Sequence, residues 1–133
     1  MKSIVTIFTI LMFIPLSAQM TPEEVVQKQL ETYNNRDIDG FMSVIAENIS
    51  LHDFSSGKVT LKGYKACKAF YGDLFEASPK LHSTILTRTV FGNRVIDHER
   101  ITGRNGNEGV LELVLIYEVD KEKIFKISVL KKE

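Results

Sequence analysis

Residues 81–130 constrain the fold more than any other part of the chain. Four runs, LHSTILTRTVF (81–91), RVIDHERIT (94–102), VLELVLIYEV (110–119) and IFKISVL (124–130), are rich in β-branched residues. Such side chains suit a pleated, half-buried surface. GN at 92–93, GRNGNEG at 103–109 and DKEK at 120–123 separate the runs. Gly, Asn and Asp concentrate where the backbone must turn, so the spacing predicts an antiparallel meander. No internal repeat or low-complexity tract interrupts it.

The chain before the meander reads differently. MTPEEVVQKQLETYNNRD (20–37) opens with Thr21 as a cap, Pro22 at the first helical position and Glu24 three residues after the cap. That is the pattern of a capping box. Val26, Leu30 and Tyr33 follow at helical spacing, and Asn34 and Asn35 end the run. DIDGFMSVIAEN (37–48) predicts a second helix, capped by Asp37 or Asp39, with Ile38, Phe41, Met42 and Ile45 on its apolar stripe. ISLHDF (49–54) alternates like a short strand, and SSGKVTLKG (55–63) reads as a loop or hairpin. YKACKAFYGDLFEA (64–77) predicts a third helix with Cys67, Phe70, Tyr71 and Leu74 on one side. Three helices followed by a curved four-stranded sheet make an α+β domain. Helices covering one face of such a sheet leave a cavity between the layers, a common place for a ligand.

The first stretch stands apart. MKSIVTIFTILMFIPLSAQ (1–19) has one early Lys2, an uncharged apolar run from Ile4 to Leu16, and then the small residues Ser17 and Ala18. This is the layout of a secretory signal peptide, with cleavage expected near Ala18 or Gln19. The competing reading is a retained amino-terminal anchor, although a membrane span needs about 20 apolar residues. Export implies a secreted or periplasmic product formed by residues 20–133, with no membrane span of its own. The 133-residue chain is of single-domain length.

Charge excludes one class of partner. Lys and Arg number 17, as do Asp and Glu, and removal of residues 1–19 takes away only Lys2. A nucleic-acid binder carries a basic excess that this chain lacks. The single cysteine, Cys67, allows no internal disulfide. A lone thiol fits an oxidising compartment when it is buried or unreactive.

The stretch RVIDHERITG (94–103) sets four ionisable side chains between Ile96 and Ile101. Strand alternation puts Val95, Asp97, Glu99 and Ile101 on one face and Ile96, His98, Arg100 and Thr102 on the other. One reading is a wet sheet face on which these charges pair with neighbouring strands. The other places Asp97 and Glu99 inside the cavity, where two close carboxylates repel and one becomes a general acid or base. Asp53 in LHDF ends a short strand. It is either a general base with a raised pKa or a cap for the turn at Ser-Ser-Gly. Tyr33, Tyr71 and Tyr117 are core candidates whose hydroxyls need partners if buried, so each can also line a polar pocket.

Other chemistries find little support. His52, His82 and His98 are the only histidines, and none has the short paired spacing of a zinc site, so no metal or other cofactor is expected. GRNGNEG lies between strands and opens no helix, which argues against a phosphate loop. No serine elbow or Cys–His pair stands out. Cys67 at core spacing reads as a small buried hydrophobe.

These residues resemble a known family. N-x-R-D-x-D-G-F, the helix after L-x-G, V-I-D-H-E-R-x-T-G, and Y-E-V before the last strand are similar to the nuclear transport factor 2-like superfamily. The likeness is greatest to its SnoaL-like branch, which includes polyketide cyclases, and to ketosteroid isomerases. It spans essentially all of residues 20–133. It implies a cone: three N-terminal helices packed in the concave face of a curved, mainly antiparallel sheet of four to six strands, with a pocket at the open end. It also implies that Asp53 falls on the isomerase base, that Tyr71 is the pocket tyrosine of the third helix, and that Asp97 and Glu99 face the pocket. The positions of the isomerase oxyanion hole fall on Gln29 and Leu115, which cannot supply its tyrosine and protonated acid. A steroid isomerase is therefore not expected. Lys131 either closes over an anionic group or lies in water.

Three functions are consistent with this reading. The first is a domain that binds an unidentified small molecule in a polar pocket without turnover, through Asp53, Tyr33, Tyr71, Asp97, Glu99 and Tyr117. The second is a general acid–base enzyme, an isomerase, cyclase or hydrolase, with Asp53 as base and Asp97 or Glu99 as its protonated partner. The third is an accessory module that buries its sheet against another protein. A homodimer through the outer sheet face is expected.

Overall fold

The computed structural model describes residues 1–4, 9–14 and 18–133. The expected export signal at 1–19 falls partly on 5–8 and 15–17, outside the described residues. No helix among the described residues is long and apolar enough to cross a membrane.

Helix α1 spans Pro22–Asn34. Its capping box forms as the sequence predicts: Glu24 N donates to Thr21 Oγ1 at 3.2 Å, and Thr21 N donates to Glu24 Oε2 at 3.1 Å. Each bond satisfies an amide that the first helical turn leaves unpaired. Val25, Val26, Gln29 and Tyr33 form its buried face. Helix α2 covers only Ile38–Met42, capped by Asp37, whose Oδ1 accepts from Gly40 N at 3.0 Å. A Cβ on Gly40 would lie 2.2 Å from Asp37 Oδ2 and 2.8 Å from Thr32 Cγ2, so glycine lets α2 fold back on α1.

The helix expected over 37–48 therefore stops early. Strand β1 runs from Ile45 to Asp53. Ile45 pairs in parallel with Ile124, whose amide donates to Val44 O at 2.8 Å. Helical spacing of Ile38, Phe41, Met42 and Ile45 is a local signal. A sheet partner nearly eighty residues downstream overrides it, and the β-branched Val44 and Ile45 fit the pleat.

β2 (Val59–Lys62) forms a hairpin with β1, and α3 spans Tyr64–Glu76. The meander then follows as β3 (His82–Phe91), β4 (Arg94–Thr102), β5 (Leu111–Asp120) and β6 (Lys123–Lys131). The sheet has six strands in the order β2-β1-β6-β5-β4-β3. Only the β1–β6 contact is parallel, because β1 reaches the meander from the helical half of the chain. This is the α+β architecture of three helices on one face of a mixed, unclosed sheet. The core lies between the layers. Phe41, Ile49, Val95 and Ile124 are fully buried there, and each such side chain contributes about 1.5–3 kcal/mol relative to exposure.

Candidate functional site

Strand alternation holds along β4. Val95, Asp97, Glu99 and Ile101 are buried on the helix-facing side, while His98 and Arg100 face out. Glu99 pairs with Leu113 and Val95 with Tyr117 across the β4–β5 ladder, so those β5 residues share the concave face. Ile127 and Val129 of β6 continue it. Between this face and helices α1 and α3 lies a cavity of about 400 Å³. Its walls are mostly Leu, Ile, Phe and Tyr, with Gln29, Tyr33, Glu99, Tyr117 and Arg104 as polar members and Asp53 and Lys131 toward the mouth.

Glu99 is the polar centre. Ser83 Oγ donates to its Oε2 at 2.9 Å, and the Tyr117 hydroxyl donates to its Oε1 at 3.0 Å. Burial disfavours the carboxylate and outweighs both bonds, pushing its pKa up to about 7. Near neutrality the group can give or take a proton. Burial also raises the Tyr117 hydroxyl, with Glu99 adding to the effect.

Tyr33 and Tyr71 come together on the helical wall. Tyr71 leans on Phe41 with ring centroids 4.4 Å apart, and Tyr33 meets Phe75 edge-on at 5.6 Å. The Tyr33 hydroxyl is buried and has no hydrogen-bond partner among the described residues. Burial pushes this phenol up to about 12, against the opposing pull of the neighbouring Arg104 guanidinium. The guanidinium stands beside the hydroxyl without meeting it in hydrogen-bond geometry.

Alternation alone places Asp97 beside Glu99 in the cavity, but Asp97 does not line it. Arg88 covers its carboxylate with two parallel bonds, Nε to Oδ1 at 2.7 Å and Nη2 to Oδ2 at 2.8 Å, and passes its Nη1 to Gln27 Oε1 at 2.9 Å. A bulge in β3 makes this possible. Ile85 faces Glu99, yet Thr87 faces His98, so Leu86 is an extra residue. The bulge turns Arg88 onto the concave face that strict alternation would deny it.

Asp53 stands half-exposed at the mouth. Its Oδ2 accepts from Ser56 Oγ at 2.6 Å and Ser56 N at 2.9 Å, and these bonds hold the carboxyl below its ordinary range. Such a carboxylate is a weak base. His52 bonds Ser50 Oγ at 2.8 Å, away from the Asp53 carboxylate.

Gln29 and Leu115 both line the cavity. Arg104 is the residue sequence reasoning passed over, because GRNGNEG reads as a linker. Gly103 aims it: at φ +71°, a Cβ there would lie 2.2 Å from Lys80 O. The turn thus presses against the chain before β3 and sends Arg104 back over the cavity. Among the described residues no three His, Cys, Asp or Glu side chains gather to hold a metal. A wider groove of about 640 Å³ lies between α2 and the β5–β6 turn, but its Glu47, Asp120 and Lys121 are all exposed.

The sequence pattern of the SnoaL-like domain matches residues 26–127. The chain belongs to the SnoaL-like domain family. Solved structures agree at the level of fold. An uncharacterized cystatin-fold protein from Novosphingobium aromaticivorans has a TM-score of 0.76 at 18% identity, over 84% of this chain and 99% of that one. A putative ketosteroid isomerase from Kribbella flavida has a TM-score of 0.72 at 15% identity, over 84% and 78%. A putative SnoaL-like polyketide cyclase from a Jannaschia species has a TM-score of 0.68 at 18% identity, over 84% and 85%. No protein of curated function matches the sequence. On one fold many chemistries are built, so the likeness of this SnoaL-like domain to those proteins identifies its architecture.

Proposed function

We propose that this SnoaL-like domain binds a small, largely apolar molecule in the cavity between its helices and its concave sheet. One observation carries the reading: a cavity of about 400 Å³ holds a buried carboxyl at Glu99 among mostly apolar walls. That size falls in the lower part of the range of about 300–1,000 Å³ for small-molecule sites. The test is a thermal-shift screen of apolar metabolites against the protein and against Leu115→Trp, which fills the cavity. Compounds that raise the melting temperature of the first and not the second support the reading. Shifts that survive in Leu115→Trp, or no shift from any compound, overturn it.

The Glu99 carboxyl, poised near neutrality, favours a second reading, a general acid–base enzyme. Here Glu99 moves the proton, and Asp53, held as a carboxylate by Ser56, is left to the mouth. Carboxyl titration by NMR decides it: a Glu99 that titrates near its ordinary value removes the acid–base group.

Export and self-association belong to the same proposal. The apolar run at 4–16 supports export to the periplasm or beyond, with residues 20–133 as the retained domain. Met20 is tied to the fold, its amide donating to Glu122 Oε1 at 2.6 Å. Half-buried Val114, Ile116 and Leu130 on the outer sheet face support pairing with a second copy, checked by sedimentation equilibrium. Exposed Leu86, Val90 and Phe91 on β3 support the accessory alternative, contact with another protein.

A further inference from the structure

The cavity contains a donor corner, Tyr33 beside Arg104, whose hydroxyl has no partner in hydrogen-bond geometry among the described residues. Tyr33 is 6% exposed and lines the cavity, and its hydroxyl lacks a hydrogen-bond partner among the described residues. A buried hydroxyl left so carries an uncompensated desolvation cost, which an incoming acceptor reduces. Arg104 lies beside it, half-buried, and forms no ion pair among the described residues. The other concave-face arginine, Arg88, is spent on Asp97. Asp53, the carboxylate at the mouth, is engaged by Ser56, and Glu99 is taken by Ser83 and Tyr117. Arg104 and Tyr33 therefore present N–H and O–H groups to one volume beside Leu113 and Tyr71.

We propose that the ligand carries a carboxylate seated between the Arg104 guanidinium and the Tyr33 hydroxyl, with an apolar ring body against Leu113, Leu115 and Tyr71. The planar guanidinium matches a carboxylate with two parallel bonds, and low polarity around it strengthens the pairing. This rests on the cavity being a ligand site and names the class of molecule it takes. It also gives the half-buried Arg104 a charged partner, which none of the ion pairs among the described residues supplies.

The test uses benzoate, 2-naphthoate and anthracene-2-carboxylate, each with its primary amide, titrated calorimetrically into the purified protein. The amide keeps the shape and removes the charge. The best-fitting carboxylate binds about tenfold or more tightly than its amide, as expected for charge-assisted bonds. Arg104→Leu abolishes that ratio and leaves amide binding in place. Arg104→Lys keeps the charge but loses the fork, gives an intermediate ratio, and carries the test should the leucine variant not fold. Tyr33→Phe weakens the carboxylate severalfold. Equal binding of carboxylate and amide, or a ratio that survives Arg104→Leu, overturns the anion assignment while the cavity remains a ligand site. No binding by any of the six overturns the carboxylate assignment, and the metabolite screen against Leu115→Trp decides the cavity separately.

Discussion

The Tyr117 hydroxyl donates to Glu99 Oε1 at 3.0 Å, linking β5 to β4 across the concave face. Ser83 of β3 takes the other oxygen. Three adjacent strands thus converge on one carboxyl, which keeps a fixed position beneath helix α1. The arrangement satisfies the group without neutralising it, because both partners are uncharged hydroxyls. Burial then dominates, and the proton is held to about pH 7.

That proton makes stability depend on pH. The unfolded chain releases it near 4.5 and the native state near 7, so between those values the folded protein holds the extra proton. Stability consequently falls as pH rises through this window and levels off above it. The total is roughly 3 kcal/mol at 1.36 kcal/mol per unit. Glu99→Gln cannot ionise and escapes the loss. Urea unfolding should show its stability relative to the parent rising by about that amount between about pH 5 and pH 8. A difference that does not change with pH contradicts the assignment.

The Asp97–Arg88 pair behaves differently, since each charge depends on the other. Their side chains are 1% and 14% exposed. Asp97→Ala strands a buried guanidinium and should cost about 3 kcal/mol, the lower end expected because Arg88 keeps some contact with water. Arg88→Met combined with Asp97→Leu should recover most of that loss, because neither charge then has to leave water. Denaturant midpoints of the single and double variants check it. A double variant as unstable as Asp97→Ala would mean that the loss comes from packing.

The meander, the capping box and the helix-facing side of β4 were legible because each depends on neighbours in sequence. Thr21 and Glu24 need only a helical turn between them, and Glu99 needs only a regular strand. What escaped depends on distant partners. Ile45 enters a strand because Ile124 waits for it. Asp97 leaves the cavity because a bulge at Leu86 brings Arg88 over it, and HSTILTRTVF carries no glycine to mark that bulge. Asp53 was legible only as a choice between base and cap, and the bonds it accepts from Ser56 N and Oγ depend on the fold of the turn that follows. Arg104 was hidden in a turn whose sequence speaks of connection and whose glycine speaks of contact.

Gly103 tests that contact. It has φ +71°, and an added Cβ would lie 2.2 Å from Lys80 O and 2.5 Å from Lys80 C. Backbone atoms cannot swing aside as a side chain can. Gly103→Ala should therefore cost about 2 kcal/mol or more, from left-handed strain and displacement of the turn together. Gly106→Ala is the control. It shares the left-handed backbone at φ +73° but has nothing within 4 Å. It should cost about 1 kcal/mol from strain alone. Similar losses in the two variants would show that the approach to Lys80 is slack.

Cys67 sets how the protein responds to thiol reagents. It is fully buried on α3, and burial pushes its thiol up to about 11. At pH 8 about one molecule in a thousand carries the thiolate, the species that reacts. An aromatic disulfide reagent should therefore label the native protein at a rate no faster than its opening, and rapidly in urea. Cys67→Ala should destabilise less than Cys67→Ser, which puts a more polar hydroxyl at a fully buried position. Fast labelling of the native protein would show that α3 opens readily above the cavity, and the helical wall holding Tyr71 would then be a moving one.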